Sequence, residues 1–233
     1  MTGGRAKQLK LCKQWMLNQT YRGKVLWIIV DDCIPITSNI IEEPFGKNWI
    51  VVKRHPVPEW KPGMNTQKRN LLLAFDIISL FVIDKVFIVE DDDYYSSIYL
   101  EKMLDYLKKY KMVGEANTVY YNIPQRKYRL NVNSKHSSLF QTAFDITLLS
   151  EIRKLVEKST GFIDMNIWKG LNTSKKLFYT NGHPLSVGIK GLPGRPGIGI
   201  GHRDGCRMPD SNLQYFRTIV GQDFRYFEQN KVL

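Results

Sequence analysis

Four consecutive carboxylates, Glu90-Asp91-Asp92-Asp93, follow the run Lys85-Val86-Phe87-Ile88-Val89 and precede Tyr94-Tyr95. Acids packed this closely repel one another unless a cation stands among them. Oxygen donors suit a hard divalent ion such as Mg²⁺ or Mn²⁺, which proteins commonly share with substrate phosphates. A solvated acidic loop capping the next helix is the plainer reading. A second apolar run, Val25-Leu26-Trp27-Ile28-Ile29-Val30, also ends on acids, Asp31-Asp32. Both runs are short, lack a helical period and read as strands buried on both faces. Ligands of open α/β sheets sit beyond the carboxyl ends of such strands, so two acid-tipped ends can meet at one crevice.

The elements that must position these acids are legible around them. Leu9, Cys12 and Met16, widened by Leu11 and Trp15, predict a helix from about Arg5 to Asn18 with lysines on its other side. Trp49 to Lys53 reads as a third strand and Arg54 to Gly63, with three prolines, as a loop. A helix from Asn65 is apolar nearly all round through Phe81, which predicts burial. Leu100, Met103, Leu104 and Leu107 mark another helix. Strand, helix, strand, helix over the first half predicts a parallel, doubly wound sheet. Beyond Lys111 the texture changes: a hairpin of 117–122 with 127–132, a strand over 138–143, a helix carrying Leu148 to Val156, a short helix near 163–171 and a strand over 185–189. Gly188 to Gly201 reads as a glycine-proline loop containing Lys190 and Arg195.

A chain of 233 residues, 43% hydrophobic, fits one domain, with 1–111 as a ligand-binding half and 112–233 as an acceptor-side half. No run approaches the ~18 apolar residues of a membrane span, and the polar, basic start is unlike a secretory signal. Three cysteines without metal-like spacing suggest reduced thiols and a cytosolic setting. The net charge of +12 favours polyanionic company: nucleic acid, anionic membrane or phosphorylated substrates.

In this order, a Thr2-x-x-Arg5 start, a helix ending in Gln19-Thr20-Tyr21, a strand closing on Val30-Asp31-Asp32, Lys68-Arg69-Asn70, and a strand closing on Glu90-Asp91-Asp92-Asp93-x-Tyr95 resemble the nucleotide-sugar glycosyltransferases of GT-A fold, family 2-like. The resemblance covers roughly the first 110 residues and implies a Rossmann-like, mostly parallel α/β sheet flanked by helices. It implies that Asp31 or Asp32 accepts a hydrogen bond from the base, with Thr2, Arg5 and Arg69 near the nucleotide. The family's Asp-x-Asp motif falls on Glu90-Asp91-Asp92, so Glu replaces the first Asp. Asp92 then contacts the metal, Glu90 contacts sugar or metal through water, and Asp91 faces the sugar or ribose. The family begins with a strand before the Thr-containing loop, whereas only Met1 precedes Thr2 here. Either the sheet lacks that strand or the chain begins upstream.

The same resemblance makes Asp164, in Gly161-Phe162-Ile163-Asp164-Met165-Asn166-Ile167-Trp168, the candidate base of an inverting transfer, against the alternative of a helix cap. Asp145 reads as a cap. His202, after the glycine loop, is a candidate metal ligand, or a structural or exposed histidine. Lys190 and Arg195 would hold the diphosphate, or be solvated cations of a surface loop. Mn²⁺ or Mg²⁺ and a nucleoside-diphosphate sugar, a UDP-sugar foremost, are the implied cofactor and donor. The lysines and arginines, with Tyr120, Tyr121 and Tyr128 among them, resemble the make-up of phage and kinetoplastid enzymes that glycosylate hydroxymethylated pyrimidines in DNA. Duplex DNA is therefore the expected acceptor and, for a phage protein, the host cytoplasm its location. A glycan, lipid or protein acceptor, a nucleotidyltransferase, or an inactive sugar-nucleotide binder are the alternatives.

Overall fold

The computed structural model describes residues 1–33, 48–195 and 205–233. Helix α1 (Ala6–Leu17) buries Leu9, Leu11, Cys12, Trp15 and Met16 and leaves Lys7 and Lys10 exposed, the split its stripe predicts. Strand β1 (Val25–Val30) runs parallel to β2 (Trp49–Arg54). Burial on both faces is reached only at Ile29 and Val30. Among the described residues, the other edge of β1 is met only by a bridge from Thr2 to Asp31, so residues 25–28 stay half-buried.

The remaining strands correct the expectation of a mostly parallel sheet. Strand β3 (Lys85–Phe87) lies antiparallel to β8 (Thr142–Asp145), which lies antiparallel to β5 (Met112–Glu115), itself parallel to β9 (Lys175–Phe178). A second mixed sheet runs β11 (Met208–Pro209), β7 (Lys127–Val132), β6 (Asn117–Asn122), β10 (Ser186–Lys190), β4 (Tyr94–Tyr95). Only the β6–β10 pair in it is parallel. The chain supplies α/β content, but a tight turn such as that joining β6 to β7 can only reverse the strand, whereas parallel pairing needs a long crossover.

Helix α2 (Gln67–Ile78) buries Asn70, Leu71, Phe75, Ile77 and Ile78, but Leu80 and Val82 just beyond it are 76% and 103% exposed, so its apolar character does not mean burial all round. Helix α3 (Tyr99–Leu107) seats Leu100, Met103 and Leu107 inside as predicted and leaves Leu104 half-buried. The strand expected over 138–143 is a 3-10 turn at Leu139–Gln141 that leads into β8. Helices α4 (Leu149–Lys158) and α5 (Ile163–Gly170) match the sequence reading, while α6 (Gln214–Val220) and α7 (Phe224–Gln229) were not foreseen. Asp145 is the expected cap, accepting from Thr147 N at 3.0 Å, and it also pairs with Lys85 at 2.5 Å.

Among the described residues two apolar clusters fill the interior, and each draws residues from both sides of position 111. The buried Glu115 carboxylate fastens the sheets together. It accepts from Gln141 Nε2 (3.1 Å), Thr180 Oγ1 (2.5 Å), Leu185 N (3.0 Å) and Ser186 Oγ (3.0 Å). Beside it, Gly114 lets α5 approach β5: a Cβ there would meet Ser137 Cβ at 2.4 Å and Trp168 Cζ2 at 2.7 Å. Neither neighbour is the free end of a flexible chain. Gly114→Ala is therefore expected to destabilise the protein by about 1–3 kcal/mol through overpacking. Thermal unfolding checks this, since an unchanged melting temperature would show that β5 and α5 have slack.

Candidate functional site

The two acid-tipped segments meet across the first residues of the chain. Thr2 N donates to Val30 O at 2.9 Å, Asp32 N donates to Thr2 O at 3.2 Å, and Met1 N donates to Val89 O at 3.1 Å. Met1 and Thr2 thus lie between the end of β1 and the continuation of β3. Thr2 Oγ1 donates to Asp91 Oδ2 at 2.6 Å. At Gly3 a Cβ would stand 2.0 Å from Asp32 Oδ1, so only glycine admits this approach of backbone to carboxylate.

The acids occupy a turn between β3 and β4, not a strand end, and Asp91 parts from the other three toward Thr2 and Arg5. Asp91 faces the start of α1, where Arg5 Nη1 lies 2.7 Å from it and 3.1 Å from Asp92 Oδ1. With Thr2 and Arg5 on its two oxygens, Asp91 braces the turn. Glu90 accepts from Gln67 Nε2 at 2.7 Å. Asp93 Oδ1 accepts from Ile189 N at 3.1 Å and from Lys190 Nζ at 3.4 Å. Asp93 Oδ2 is buried without a hydrogen-bond partner among the described residues. Glu90, Asp92 and Asp93 can each turn one oxygen to within 4.8 Å of the others. An all-oxygen set with one orphaned oxygen fits a hard divalent cation.

The electrostatics follow from burial. Desolvation pushes the Asp93 carboxyl well above the usual carboxylate range, with Lys190 only partly opposing it. Burial, with the charge of Asp92, raises Glu90 too. Burial also raises Asp91, against the pull of Arg5. Burial disfavours the Lys190 charge, but Asp93 and Asp92 outweigh it and hold the ammonium above the ordinary lysine value.

Asp32 is the second focus. Its Oδ2 accepts from Thr66 Oγ1 and, at 2.8 Å, from Asn70 Nδ2, with Arg69 Nη2 at 3.8 Å. Its Oδ1 meets Arg195 Nη1 at 2.5 Å. Asp31 is buried as well, its Oδ1 accepting from Cys33 N at 3.2 Å and its carbonyl facing His55 Nδ1 at 3.1 Å. The structure therefore brings together Thr2, Arg5, Asp31, Asp32, Arg69, Glu90, Asp91, Asp92 and Arg195.

Two placements differ from the sequence reading. Lys190 is no loop residue but the buried last residue of β10, because Gly188 is folded into that strand under the Tyr120 ring. Asp93 is absent from the expected ligand set, yet its partner Lys190 and its orphaned oxygen put it inside the acid cluster. The tetracarboxylate run was its one sequence signal, and a run without a period does not say which acids converge. His202 lies outside the described residues. Asp164 sits in the first turn of α5 and accepts from Met165 N at 2.8 Å, and burial raises its pKa. Tyr120 lies on the cluster's side: Lys190 Nζ is 5.3 Å from its ring centre, and its hydroxyl bonds to Ser138 Oγ at 3.1 Å.

The basic and aromatic residues divide. Lys175 caps α5 through Trp168 O (2.7 Å) and Leu171 O (2.6 Å), and Lys111 pairs with Asp145 at 3.2 Å. Tyr121 stacks on Phe216 at 4.3 Å and Tyr128 on Tyr215 at 3.9 Å, so these two rings pack the protein and do not stand free for stacking. Among the described residues no helix is long and apolar enough to cross a membrane. Searches against protein-family models and against curated proteins gave no match to this chain.

Acids with raised pKa keep protons in the folded state at pH values where the unfolded chain has released them. The acid cluster therefore weakens the fold as pH rises above the ordinary carboxylate range of ~4. A cation needs those groups ionised, so its binding strengthens in the same direction. Mn²⁺ is expected to raise the melting temperature more at about pH 7.5 than at about pH 5, with ~2.7 kcal/mol gained at a hundredfold excess over Kd. Asp93→Asn should shrink the gain. Equal gains at both pH values would contradict a carboxylate-held cation.

Proposed function

We propose that the chain is a metal-dependent glycosyltransferase. In this reading it moves a sugar from a nucleoside-diphosphate sugar, a UDP-sugar foremost, to an acceptor hydroxyl. The observation that carries the reading is the meeting of Asp32 and the Glu90–Asp93 turn across Thr2, an arrangement that would suit a base at Asp32 and a cation at the turn. A nucleotide lying across that junction would have its base at Asp32 and its diphosphate toward Asp92.

Glu90, Asp92 and Asp93 would hold Mn²⁺ or Mg²⁺, and the bound ion would neutralise charge on the departing diphosphate. Arg5 holds the turn in place through Asp91 and Asp92 and presents a fixed cation beside the phosphates. Lys190, anchored on Asp93, adds a second positive charge from the sheet side. Asp164 takes the acceptor proton as the acceptor oxygen bonds to the sugar carbon and the carbon–phosphate-oxygen bond breaks with its electrons on the diphosphate. Its raised pKa makes it a stronger base than an ordinary aspartate. In this inverting arrangement base and leaving group face opposite sides of the sugar.

The +12 charge suits a polyanionic acceptor, and the resemblance to phage and kinetoplastid enzymes makes duplex DNA bearing hydroxymethylated pyrimidines the one proposed. Binding to such DNA should weaken with salt, the logarithm of affinity falling by about 0.9 per phosphate contacted for each log unit of salt. No gel shift at low salt would remove the DNA acceptor.

The test is incubation of modified DNA with a panel of nucleotide sugars and Mn²⁺, read by mass spectrometry of the nucleosides and by the nucleotide released. A sugar adduct with free nucleoside diphosphate is the expected result. Pyrophosphate would mean nucleotidyl transfer, and binding without turnover an inactive sugar-nucleotide binder. Asp164→Asn should lower kcat by about 10²–10⁴. In the wild type the rate should fall as pH drops through an Asp164 pKa above the ordinary ~3.9.

A further inference from the structure

Arg195 fills the face of Asp32 that a nucleobase would need. Its Nη1 lies 2.5 Å from Asp32 Oδ1, and its Nη2 donates to Thr66 Oγ1 at 3.1 Å. The flat face of the same guanidinium rests on Trp60, with Cζ 4.3 Å from the ring centre. Trp60 is itself fixed to the site, its backbone N donating to Asp32 O at 2.6 Å and its indole Nε1 to Met64 O at 3.0 Å. A planar group with a hydrogen-bonding edge is thus stacked on an indole and bonded edge-on to a buried carboxylate. A base with a ring N–H would make the same two contacts.

The segment that delivers Arg195 is held by a few polar contacts. Gln8 Nε2 donates to Pro193 O at 2.6 Å, and Arg5 Nε donates to Arg195 O at 3.2 Å. Gly194 has φ +120°, and a Cβ there would stand 3.0 Å from Gly4 O, so the strap crosses the Gly3-Gly4 turn at a point only glycine admits. The arginine side chain is 15% exposed, close to the surface. By contrast Asp32 Oδ2 stays occupied by Thr66 and Asn70 whatever Arg195 does. Oδ1 is the oxygen that departure of Arg195 would open.

We infer that Arg195 is an intramolecular stand-in for the base of the donor nucleotide. In the free protein its guanidinium satisfies Asp32 and covers Trp60; on binding, the base stacks on Trp60, donates to Asp32 Oδ1, and Arg195 swings out. The inference rests on the reading of Asp32 as the base-binding carboxylate. It changes the role expected for Arg195, since a residue that only held the diphosphate would help binding, whereas an occupant of the base site opposes it.

The two roles differ in sign, and a nucleoside without phosphates separates them. Titration calorimetry of uridine is made on the wild type, Arg195→Ala, Arg195→Gln and Trp60→Ala, with UDP as the control. Removal of a competing occupant is expected to tighten uridine by about tenfold, the size of the conformational tax a dominant occupied state imposes. Trp60→Ala should weaken uridine in the presence of Arg195 or without it, which keeps the test open if an Arg195 variant does not fold. Unchanged or weaker uridine affinity in a folded Arg195 variant overturns the inference, as does unchanged affinity in Trp60→Ala or the absence of uridine binding to every form while UDP binds. Failure of both uridine and UDP to bind any form overturns the donor-site reading itself.

Discussion

Burial of like charge is the constraint around which this molecule is arranged. Asp31, Asp32, Asp91, Asp92 and Asp93 are all buried, in two segments that touch through Thr2. An unpaired buried carboxylate costs several kcal/mol, so the fold must carry cations inward to meet them. The cations come from far along the chain. Arg5 reaches Asp91 across 86 positions, Lys190 reaches Asp93 across 97, and Arg195 reaches Asp32 across 163. These closures bring the start of α1, the end of β10 and the 191–195 strap to one place. The compensation is incomplete at Asp93, whose second oxygen lacks a hydrogen-bond partner among the described residues. That shortfall is what a divalent ion would remedy.

The local elements were legible because each is fixed by a periodic pattern. The stripe of α1, the face of α3 and the two strand-like runs at 117–122 and 127–132 specify their own structures. Strand direction was not legible, because pairing partners are chosen by contacts distant in sequence. The same limit hid the fate of Lys190. The expected strand ends at Ile189 and the glycine-proline run puts Lys190 in a loop, but β10 runs on through Lys190, with the Tyr120 ring filling the space beside Gly188. Tyr121 and Tyr128 carried a nucleic-acid reading in sequence and a packing role in space.

The candidate site shows the same division. Buried runs ending in acids suggest a shared crevice, and the Asp32 segment and the acidic turn do meet through Thr2, with Arg5 against Asp91 and Asp92. Which acids converge was decided by the turn at 91–93, which sends Asp91 to Arg5 and brings Asp93 round to Lys190. Trp60 could not be singled out within a proline-rich loop, because its importance comes only from Arg195, a residue far away in sequence. Sequence pattern thus named the acids, and long-range closure decided their partners.

A junction that served both nucleotide and cation, as proposed, would couple the two ligands thermodynamically, and that coupling is the most direct test. UDP is titrated calorimetrically with and without Mn²⁺, and Mn²⁺ with and without UDP, correcting for their association in solution, in the wild type and in Asp92→Asn. The account expects each ligand to tighten the other by the same factor, about 5–150-fold, and expects Asp92→Asn to abolish the coupling while UDP still binds. Independent binding of the two ligands to the wild-type protein would contradict it.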